Sequence, residues 1–181
     1  MISLNSKITK NILGYLFLHD TETLYVNEMI RKFNIDKRNT AKKLKELENE
    51  GILNSEKRGI EIYYSLNKQY PLFQEYKKII FKTYGIEHQL KYCLQGVKGV
   101  KEAYIVGSYA KNQMDSSSDI DVLVIGNADT LELNKKISNL QKNINRELNI
   151  INIGKNELNK KKIAKDSFIE NIFKNKKIRL I

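Results

Sequence analysis

The fold is decided by YIVGSYAKN at residues 104–112 and, after a polar loop, by SDIDVLVI at residues 118–125. The apolar run from Ala103 to Val106 predicts a short buried strand. Residues 109–112 then predict the first turn of a helix. The second stretch ends in four apolar residues, which predicts another strand. The sequence therefore indicates a strand, a turn into a helix, and a second strand after the loop.

The turn at Gly107 and Ser108 is suited to holding a phosphate. Glycine lets the backbone approach a ligand without a Cβ in the way, and the free N–H groups at a helix start attract anions. The hydroxyl group of Ser108 adds a donor. Lys111 either reaches a phosphate or lies in solvent, and the sequence leaves both open.

Asp119 and Asp121 flank Ile120, and side chains two apart on a strand point to the same face, with Cα atoms about 6.5 to 7 Å apart. Two buried like charges are costly unless a cation joins them. A divalent cation carrying nucleotide phosphates satisfies both carboxylates, and oxygen ligands suit Mg²⁺ and Mn²⁺ alike. Asp115, in the loop, is expected only to be solvated.

Together, the two stretches resemble the Gly-Ser-x-Ala-Arg-Gly, spacer, Ser-Asp-Ile-Asp signature of the minimal nucleotidyltransferases in the DNA polymerase beta superfamily. Either half alone is more often an ordinary turn or a solvated strand end. The resemblance implies a nucleotidyltransferase fold, with a small mixed sheet flanked by helices, that binds NTP and Mg²⁺. The implied metal ligands and catalytic residues are Asp119 and Asp121. The implied nucleotide-binding residues are Gly107, Ser108, Lys111 and Ser118.

The sequence departs from this signature at two places. Superfamily members generally carry a third carboxylate on the next strand, and here Asn149 takes that position; an amide is a poor base. Glu147 lies one pleat away, about 6.5 to 7 Å by strand rise, and is the catalytic residue expected to substitute through a water. Lys111 and Asn112 replace the Arg-Gly pair, a change that can alter the turn.

The N-terminal part shows helical spacing at residues 10–19 and 27–33, then a capped helix ending at Gly51. Asp36 or Asn39 can supply the cap. An alternating hairpin with a Glu-Lys-Arg-Gly turn at residues 56–59 follows. The order of these elements, over about residues 8 to 67, resembles a winged helix-turn-helix domain of the bacterial and archaeal repressor type.

That resemblance implies that the third helix enters a major groove of DNA by its N-terminal end, while the hairpin tip contacts phosphate or the minor groove. The alternative is that this domain packs on protein. The DNA-binding residues expected on the helix are Lys37, Arg38, Asn39, Lys42 and Lys43, and those at the tip are Lys57 and Arg58.

Pro71, the only proline, marks a boundary after the hairpin. We therefore expect an α/β (α+β) chain with a winged helix-turn-helix domain at residues 1–70, a linking helix at 71–95 that breaks at Gly85, and a nucleotidyltransferase-fold domain at 96–181. The linking helix packs the domains together or forms a homodimer seam. Further predictions are a helix at 131–144, a strand at 148–153, two short helical stretches and a final strand at 177–181.

Composition limits the class of protein. With 41% hydrophobic and 29% charged residues, the 181-residue chain is typical of a soluble globular protein, and no apolar run reaches the about 20 residues of a membrane span. A cytoplasmic location without membrane contact is the resulting expectation. One cysteine excludes an intramolecular disulfide and a cysteine zinc cluster. The net charge of +11 suggests an anionic partner, and much of the excess lies in the lysine-rich last stretch.

Two functions follow as hypotheses. The first is a DNA-binding nucleotidyltransferase that moves a nucleoside monophosphate from NTP–Mg²⁺ to a hydroxyl group on a protein or nucleic acid. The second is a winged-helix transcriptional regulator or antitoxin, with a possible toxin partner, whose degenerate nucleotidyltransferase domain binds nucleotide without catalysis. The substitution at Asn149 favours the second, and the intact Asp119 and Asp121 favour the first. A purely structural interaction module leaves those carboxylates unexplained.

Overall fold

The computed structural model describes residues 4–115 and 118–181 and divides into two compact units, Met1–Ile86 and Glu87–Ile181. The division falls within the linking segment expected at residues 71–95. Along the described ranges, no helix is long and apolar enough to cross a membrane.

The first unit combines four helices with a three-stranded antiparallel sheet of order β1-β3-β2. Apolar side chains of the first helix, among them Ile12, Leu13 and Leu16, are fully buried in this unit. The elements are α1 (Lys7–Leu18), β1 (Leu24–Tyr25), α2 (Val26–Phe33), α3 (Lys37–Asn49), β2 (Leu53–Arg58), β3 (Glu61–Leu66) and α4 (Phe73–Thr83).

Helix α3 begins at an aspartate cap. Of the two caps that the sequence left open, Asp36 is the one used: its Oδ1 accepts a hydrogen bond of 2.8 Å from the backbone N–H of Asn39. Thr40, Leu44 and Leu47 form the buried stripe. Because these residues are spaced four and three apart, they lie on one side of the helix and leave the opposite side to solvent.

The hairpin turns later than the sequence predicts. The turn was expected at residues 56–59, but β2 continues to Arg58, which pairs with Glu61, so the tip is Gly59 and Ile60. Gly59 has φ +61°, the positive value that a two-residue hairpin turn requires at its first position. Ile60 is 97% exposed. The positive φ of Gly59 therefore sets the turn at residues 59 and 60, directly after the charged residues 56–58.

The linking segment is broken where the sequence predicts. Helix α4 ends at Thr83 and α5 spans Ile86–Gln95, so Gly85 lies in the break. A Cβ on Gly85 would lie 2.8 Å from the Cα of Phe81 and 2.9 Å from the backbone oxygen of Ile80. Only glycine fits so close to the preceding helical turn, and this close packing explains the break.

The second unit contains the mixed sheet that was expected, of order β6-β5-β4-β7. Strands β5 and β6 are parallel, whereas β4 is antiparallel to both β5 and β7. After α5, the elements are β4 (Val100–Ile105), α6 (Gly107–Ala110), β5 (Ile120–Gly126), α7 (Thr130–Ile144), β6 (Leu148–Ile153), α8 (Lys155–Ile163), α9 (Ser167–Lys174) and β7 (Ile178–Arg179).

One face of this sheet is covered by α8 and α9. Leu123 and Ile125 of β5 pack there with Leu158 of α8 and with Ile169 and Ile172 of α9. Because alternate residues of a strand share a face, residue 121 projects towards the same side as these two strand residues. The helices that bury the apolar end of β5 therefore lie beside its acidic start.

Candidate functional site

The turn between β4 and α6 forms one wall of the site. The backbone N–H of Val106 donates to the carbonyl oxygen of Asp121 at 2.9 Å, which ties the end of β4 to β5. A helix was expected to start at residue 109, but α6 starts at Gly107 and ends at Ala110. Asn112 lies in the left-handed region with φ +57° and closes the turn, which explains why the helix is so short.

Asn112 stands where the family signature has glycine. Glycine is the usual residue for a left-handed backbone, and asparagine is the side chain that tolerates it best. Since Asn112 adopts that conformation, replacement of the glycine does not by itself prevent the turn.

Gly107 is in direct contact with an acidic side chain of the neighbouring strand. A Cβ on Gly107 would lie 2.3 Å from Oδ2 of Asp121, a distance that real Cβ atoms do not adopt, and φ at Gly107 is +69°. Both the close approach and the backbone conformation therefore require glycine here. The turn and the carboxylate are held against one another.

The other oxygen of Asp121 is held by Asn149. These two residues are register partners in the parallel pair of β5 and β6, and Nδ2 of Asn149 donates to Oδ1 of Asp121 at 2.9 Å. The structure thus places a neutral amide where the sequence comparison expects a third carboxylate. An amide cannot accept the proton of an attacking hydroxyl group.

The remaining predicted catalytic residues lie at strand ends. Asp119 is exposed and precedes β5 by one residue. Glu147 is also exposed and precedes β6 by one residue; its carbonyl oxygen accepts a hydrogen bond of 3.1 Å from the backbone N–H of Ile120. Glu147 does not line the recess described below.

Ser118 is engaged by the loop in which it lies. Its backbone N–H and its hydroxyl group both donate to Oδ1 of Asp115, each at 2.8 Å. The buried Arg146 donates from Nη2 to the carbonyl oxygen of Asp115 at 2.7 Å. Asp115 is exposed, as expected, and in addition it holds Ser118, while Arg146 is a supporting residue that no local motif indicates.

A recess of about 190 Å³ opens beside these groups. The predicted residues Gly107, Lys111 and Asp121 line it together with Asn149. Its other wall consists of residues that the sequence analysis missed. They come from α9 and the segment after it, and include Phe168, Asn171, Asn175 and Lys176.

The residues present fit a divalent cation. Within the described part of the chain, no group of three His, Cys, Asp or Glu side chains converges. Mg²⁺, however, is commonly held by one or two carboxylates together with substrate phosphates and water. Asp119 and Asp121 supply two carboxylates flanking a single residue, and their oxygen atoms suit Mg²⁺ or Mn²⁺.

Comparison with known families decides the assignment. The family model described as the nucleotidyltransferase domain matches residues 86–178, which is more than half of the chain. The chain belongs to the nucleotidyltransferase domain family. A search of curated proteins finds no match.

Two solved structures are similar to this chain. A toxin–antitoxin crystal structure with AMP-PNP is 15% identical, has a TM-score of 0.40, and covers 52% of this chain and 72% of its own. A candidate nucleotidyltransferase from Sulfolobus solfataricus is 19% identical, has a TM-score of 0.30, and covers 41% of this chain and 68% of its own. Neither likeness is close enough to carry an argument about activity.

Within the nucleotidyltransferase domain, Tyr109 supports the short helix α6. Its ring is buried, and its hydroxyl group donates to Oε1 of Glu87 in α5 at 3.4 Å. Burial, with the nearby Glu87 carboxylate, raises the pKa of Tyr109 far above its ordinary value, so the hydroxyl group stays protonated. Tyr109 therefore braces the turn and does not ionise.

The residues predicted to contact DNA fall into two groups. Lys37, Arg38, Asn39, Lys42 and Lys57 are exposed. By contrast, Lys43 is half-buried and ion-paired with Glu46, and the Arg58 guanidinium lies 2.6 Å from Oε2 of Glu56 and 4.8 Å from the ring centroid of Tyr63. The first group presents open cationic or amide groups, whereas Lys43 and Arg58 already have partners within the unit.

Proposed function

We propose that this protein transfers a nucleoside monophosphate from an NTP–Mg²⁺ complex to a hydroxyl group, at the recess between β5, β6 and α9. The observation that carries the proposal is the contact between Gly107 and Asp121. A backbone turn that can hold phosphate is thereby in van der Waals contact with a carboxylate that can hold a metal ion.

Asp119 and Asp121 hold Mg²⁺, and Mn²⁺ fits the same oxygen ligands. The bound cation supplies electrostatic stabilisation of the charge that develops on the phosphates. The backbone N–H groups of Gly107 and Ser108 and the Ser108 hydroxyl group orient the triphosphate. Because α6 has only four residues, these individual donors do the work and a helix dipole contributes little.

The reaction conserves charge and atoms through an in-line displacement. The acceptor oxygen attacks the α-phosphorus, the bond to the β-phosphate oxygen breaks, and pyrophosphate leaves with the bonding electrons. The proton of the acceptor passes through water to Glu147, since Asn149 cannot take it. A base that acts only through water is expected to give slow turnover.

Two further roles complete the nucleotide site. Lys111 lines the recess and neutralises phosphate charge. Ser118 is linked to Asp115 and holds the loop beside Asp119, so its contribution to nucleotide binding comes through the position of that loop.

We also propose that the first unit is a winged helix-turn-helix that binds DNA. The order of its helices and strands and the exposed Lys37, Arg38 and Lys42 at the start of α3 support this role. Lys57, which is exposed beside the hairpin tip, contacts phosphate.

A second candidate function is a nucleotide-responsive regulator or antitoxin without catalysis. The hydrogen bond from Asn149 to Asp121 favours it, because a neutral amide fills the place of the third carboxylate. A protein partner such as a toxin then takes the role of the acceptor.

Calorimetric titration with non-hydrolysable ATP and GTP analogues plus Mg²⁺ separates these functions when pyrophosphate release from ordinary NTPs is measured in parallel. If the protein is an enzyme, the wild type binds the analogue and releases pyrophosphate, and Asp119→Asn/Asp121→Asn abolishes both. Binding without release establishes the regulator. Absence of binding in the wild type contradicts both.

A further inference from the structure

The positive charge of the second unit is concentrated at its C-terminal end. Residues 155–181 contain nine Lys and Arg against three Asp and Glu, whereas residues 87–154 contain eight of each. The whole excess of positive charge in this unit therefore lies in α8, α9 and the segment through β7. We call this segment the C-terminal cationic surface.

Ion pairs within this surface leave most of its cations open. Lys161 lies 4.0 Å from Glu157 and 3.7 Å from Asp166, and Lys174 lies 3.1 Å from Glu170, so two lysines engage all three carboxylates. Among the residues that the structure describes, six lysines of this surface have no carboxylate ion pair, whereas Nε of Arg179 donates to the oxygen of Ile181 at 2.9 Å. They are Lys155, Lys160, Lys162, Lys165, Lys176 and Lys177.

The open cations begin at the candidate active site. Lys176 lines the recess that contains Asp121, and α8 and α9 pack on the sheet face to which Asp121 projects. The ammonium groups of Lys162 and Lys177 lie 4.2 and 5.3 Å from the ring centroid of Phe173. These cation–π contacts keep two like charges close together and leave both able to attract an anion.

An exposed aromatic side chain accompanies the charge. Phe168, which is 50% exposed, lines the same recess as Asp121. A nucleobase can stack on such a ring, and lysines beside aromatic groups are the usual means of holding a single strand without sequence preference. The ring thus lies beside the recess of about 190 Å³ in which transfer is proposed.

We propose that the C-terminal cationic surface binds the phosphates of a single-stranded nucleic acid, and that the terminal hydroxyl group of this strand is the acceptor of the nucleotidyl group. The acceptor role rests on the proposed function; the binding role does not. The strand oxygen attacks the α-phosphorus of NTP, pyrophosphate leaves with the electrons of the broken bond, and the proton passes through water to Glu147. The strand becomes one nucleotide longer.

Binding is tested on the full chain by fluorescence anisotropy with an end-labelled RNA strand of about 20 nucleotides, long enough to exceed one single-strand binding site. The test variant is Lys160→Gln/Lys162→Gln/Lys165→Gln. The matched control, Lys91→Gln/Lys98→Gln/Lys101→Gln, removes the same charge from exposed positions elsewhere in the unit. A second control, Lys37→Gln/Arg38→Gln/Lys42→Gln, isolates the proposed DNA-binding helix.

The test variant is expected to raise Kd about tenfold to a hundredfold near 0.1 M salt, because each lost single-strand phosphate contact removes about 0.7 from the slope of log K against log salt concentration. That slope should become shallower by about 2 if all three contacts are lost. Both controls should leave Kd within about twofold, as non-contacting charges do under screening. Equal weakening by the test variant and the matched control, or no weakening by either, overturns the proposal.

The acceptor role is tested with α-labelled NTP and RNA that ends in a 3′ hydroxyl group or a blocking 3′ phosphate, with a DNA strand in parallel. Label on the hydroxyl strand alone supports the proposal, and the DNA arm shows which sugar is accepted. Label on polypeptide with none on either strand overturns it. If no product is labelled although the lysine variant weakens RNA binding, the binding surface is upheld and the proposed transfer fails.

Discussion

Asn149 donates a hydrogen bond of 2.9 Å from its side-chain amide to Oδ1 of Asp121, across the parallel pair of β5 and β6. Because an amide carries no charge, this bond leaves the negative charge of Asp121 in place, but it fixes the orientation of the carboxylate. The position that would need a base for efficient transfer holds a donor instead. The activity of the protein is therefore expected to be limited at this one residue.

Asn149→Asp should convert the site into a faster enzyme. The new carboxylate can take the proton of the acceptor, and general bases contribute about 10² to 10⁴ in rate, so Mg²⁺-dependent pyrophosphate release should rise by at least about 10². Asn149→Ala is the matched control, because it removes the hydrogen bond without adding a base. A rise in both variants, or in neither, contradicts the assigned role of this position.

Without Mg²⁺, the same Asn149→Asp variant should be less stable than the wild type. Two adjacent carboxylates repel and the hydrogen bond is lost, for a cost of about 1 to 2 kcal/mol. Urea unfolding with and without Mg²⁺ measures this cost, and Mg²⁺ should restore more stability in the variant than in the wild type.

Gly107→Ala should abolish nucleotide binding. The added methyl group meets Oδ2 of Asp121 at 2.3 Å and must displace the carboxylate or the turn. Gly59→Ala is a close control, because Gly59 has a similar φ of +61° and no atom within 4 Å of an added Cβ. Both variants carry a backbone cost of about 1 to 2 kcal/mol, but only Gly107→Ala should lose binding of an NTP analogue by calorimetry.

Asn112→Gly should leave both stability and nucleotide affinity nearly unchanged. Residue 112 has φ +57°, which glycine adopts freely, whereas Asn112→Ala should cost about 1 kcal/mol because a Cβ disfavours that conformation. Urea unfolding and analogue titration of the two variants make the comparison. A large loss of affinity in Asn112→Gly would instead assign the amide a direct contact with the ligand.

Duplex DNA binding should depend on the start of α3. Lys37→Gln/Arg38→Gln/Lys42→Gln removes three exposed cations and should make the slope of log K against log salt concentration shallower by about 2 to 3. Arg58→Gln should have a smaller effect, since Arg58 already contacts Glu56 and Tyr63. If the salt dependence of DNA binding is unchanged in the triple variant, the first unit does not bind DNA through α3, and the alternative is that it packs on protein.

The sequence predicted those parts of the structure that are specified locally. Apolar periodicity indicated the helices of the first unit, and Gly85 indicated the break between α4 and α5. Capping preferences gave two candidate N-cap residues for α3, and in the structure Asp36 is the cap. These features depend on residues within a few positions of one another, so a single sequence contains the necessary information.

The features that the sequence missed depend on distant residues. Phe168 and Lys176 line the recess because Ile169 and Ile172 dock α9 on β5, about fifty residues earlier in the chain. The hydrogen bond from Arg146 to the carbonyl oxygen of Asp115 joins residues thirty-one positions apart. The helix at Tyr109 was predicted two residues late, because Gly107, which was assigned to the turn, begins α6 with a positive φ of +69°.

The most direct test of the central claim is transfer of label from NTP by the purified 181-residue chain with Mg²⁺ and a cellular RNA and protein fraction as acceptors. Label should enter macromolecular product from α-labelled NTP and not from γ-labelled NTP, and Asp119→Asn/Asp121→Asn should abolish it. Transfer from γ-labelled NTP would indicate a different reaction. Absence of transfer from α-labelled NTP, under conditions in which the wild type binds the nucleotide, would contradict nucleotidyl transfer and identify a nucleotide-binding regulator.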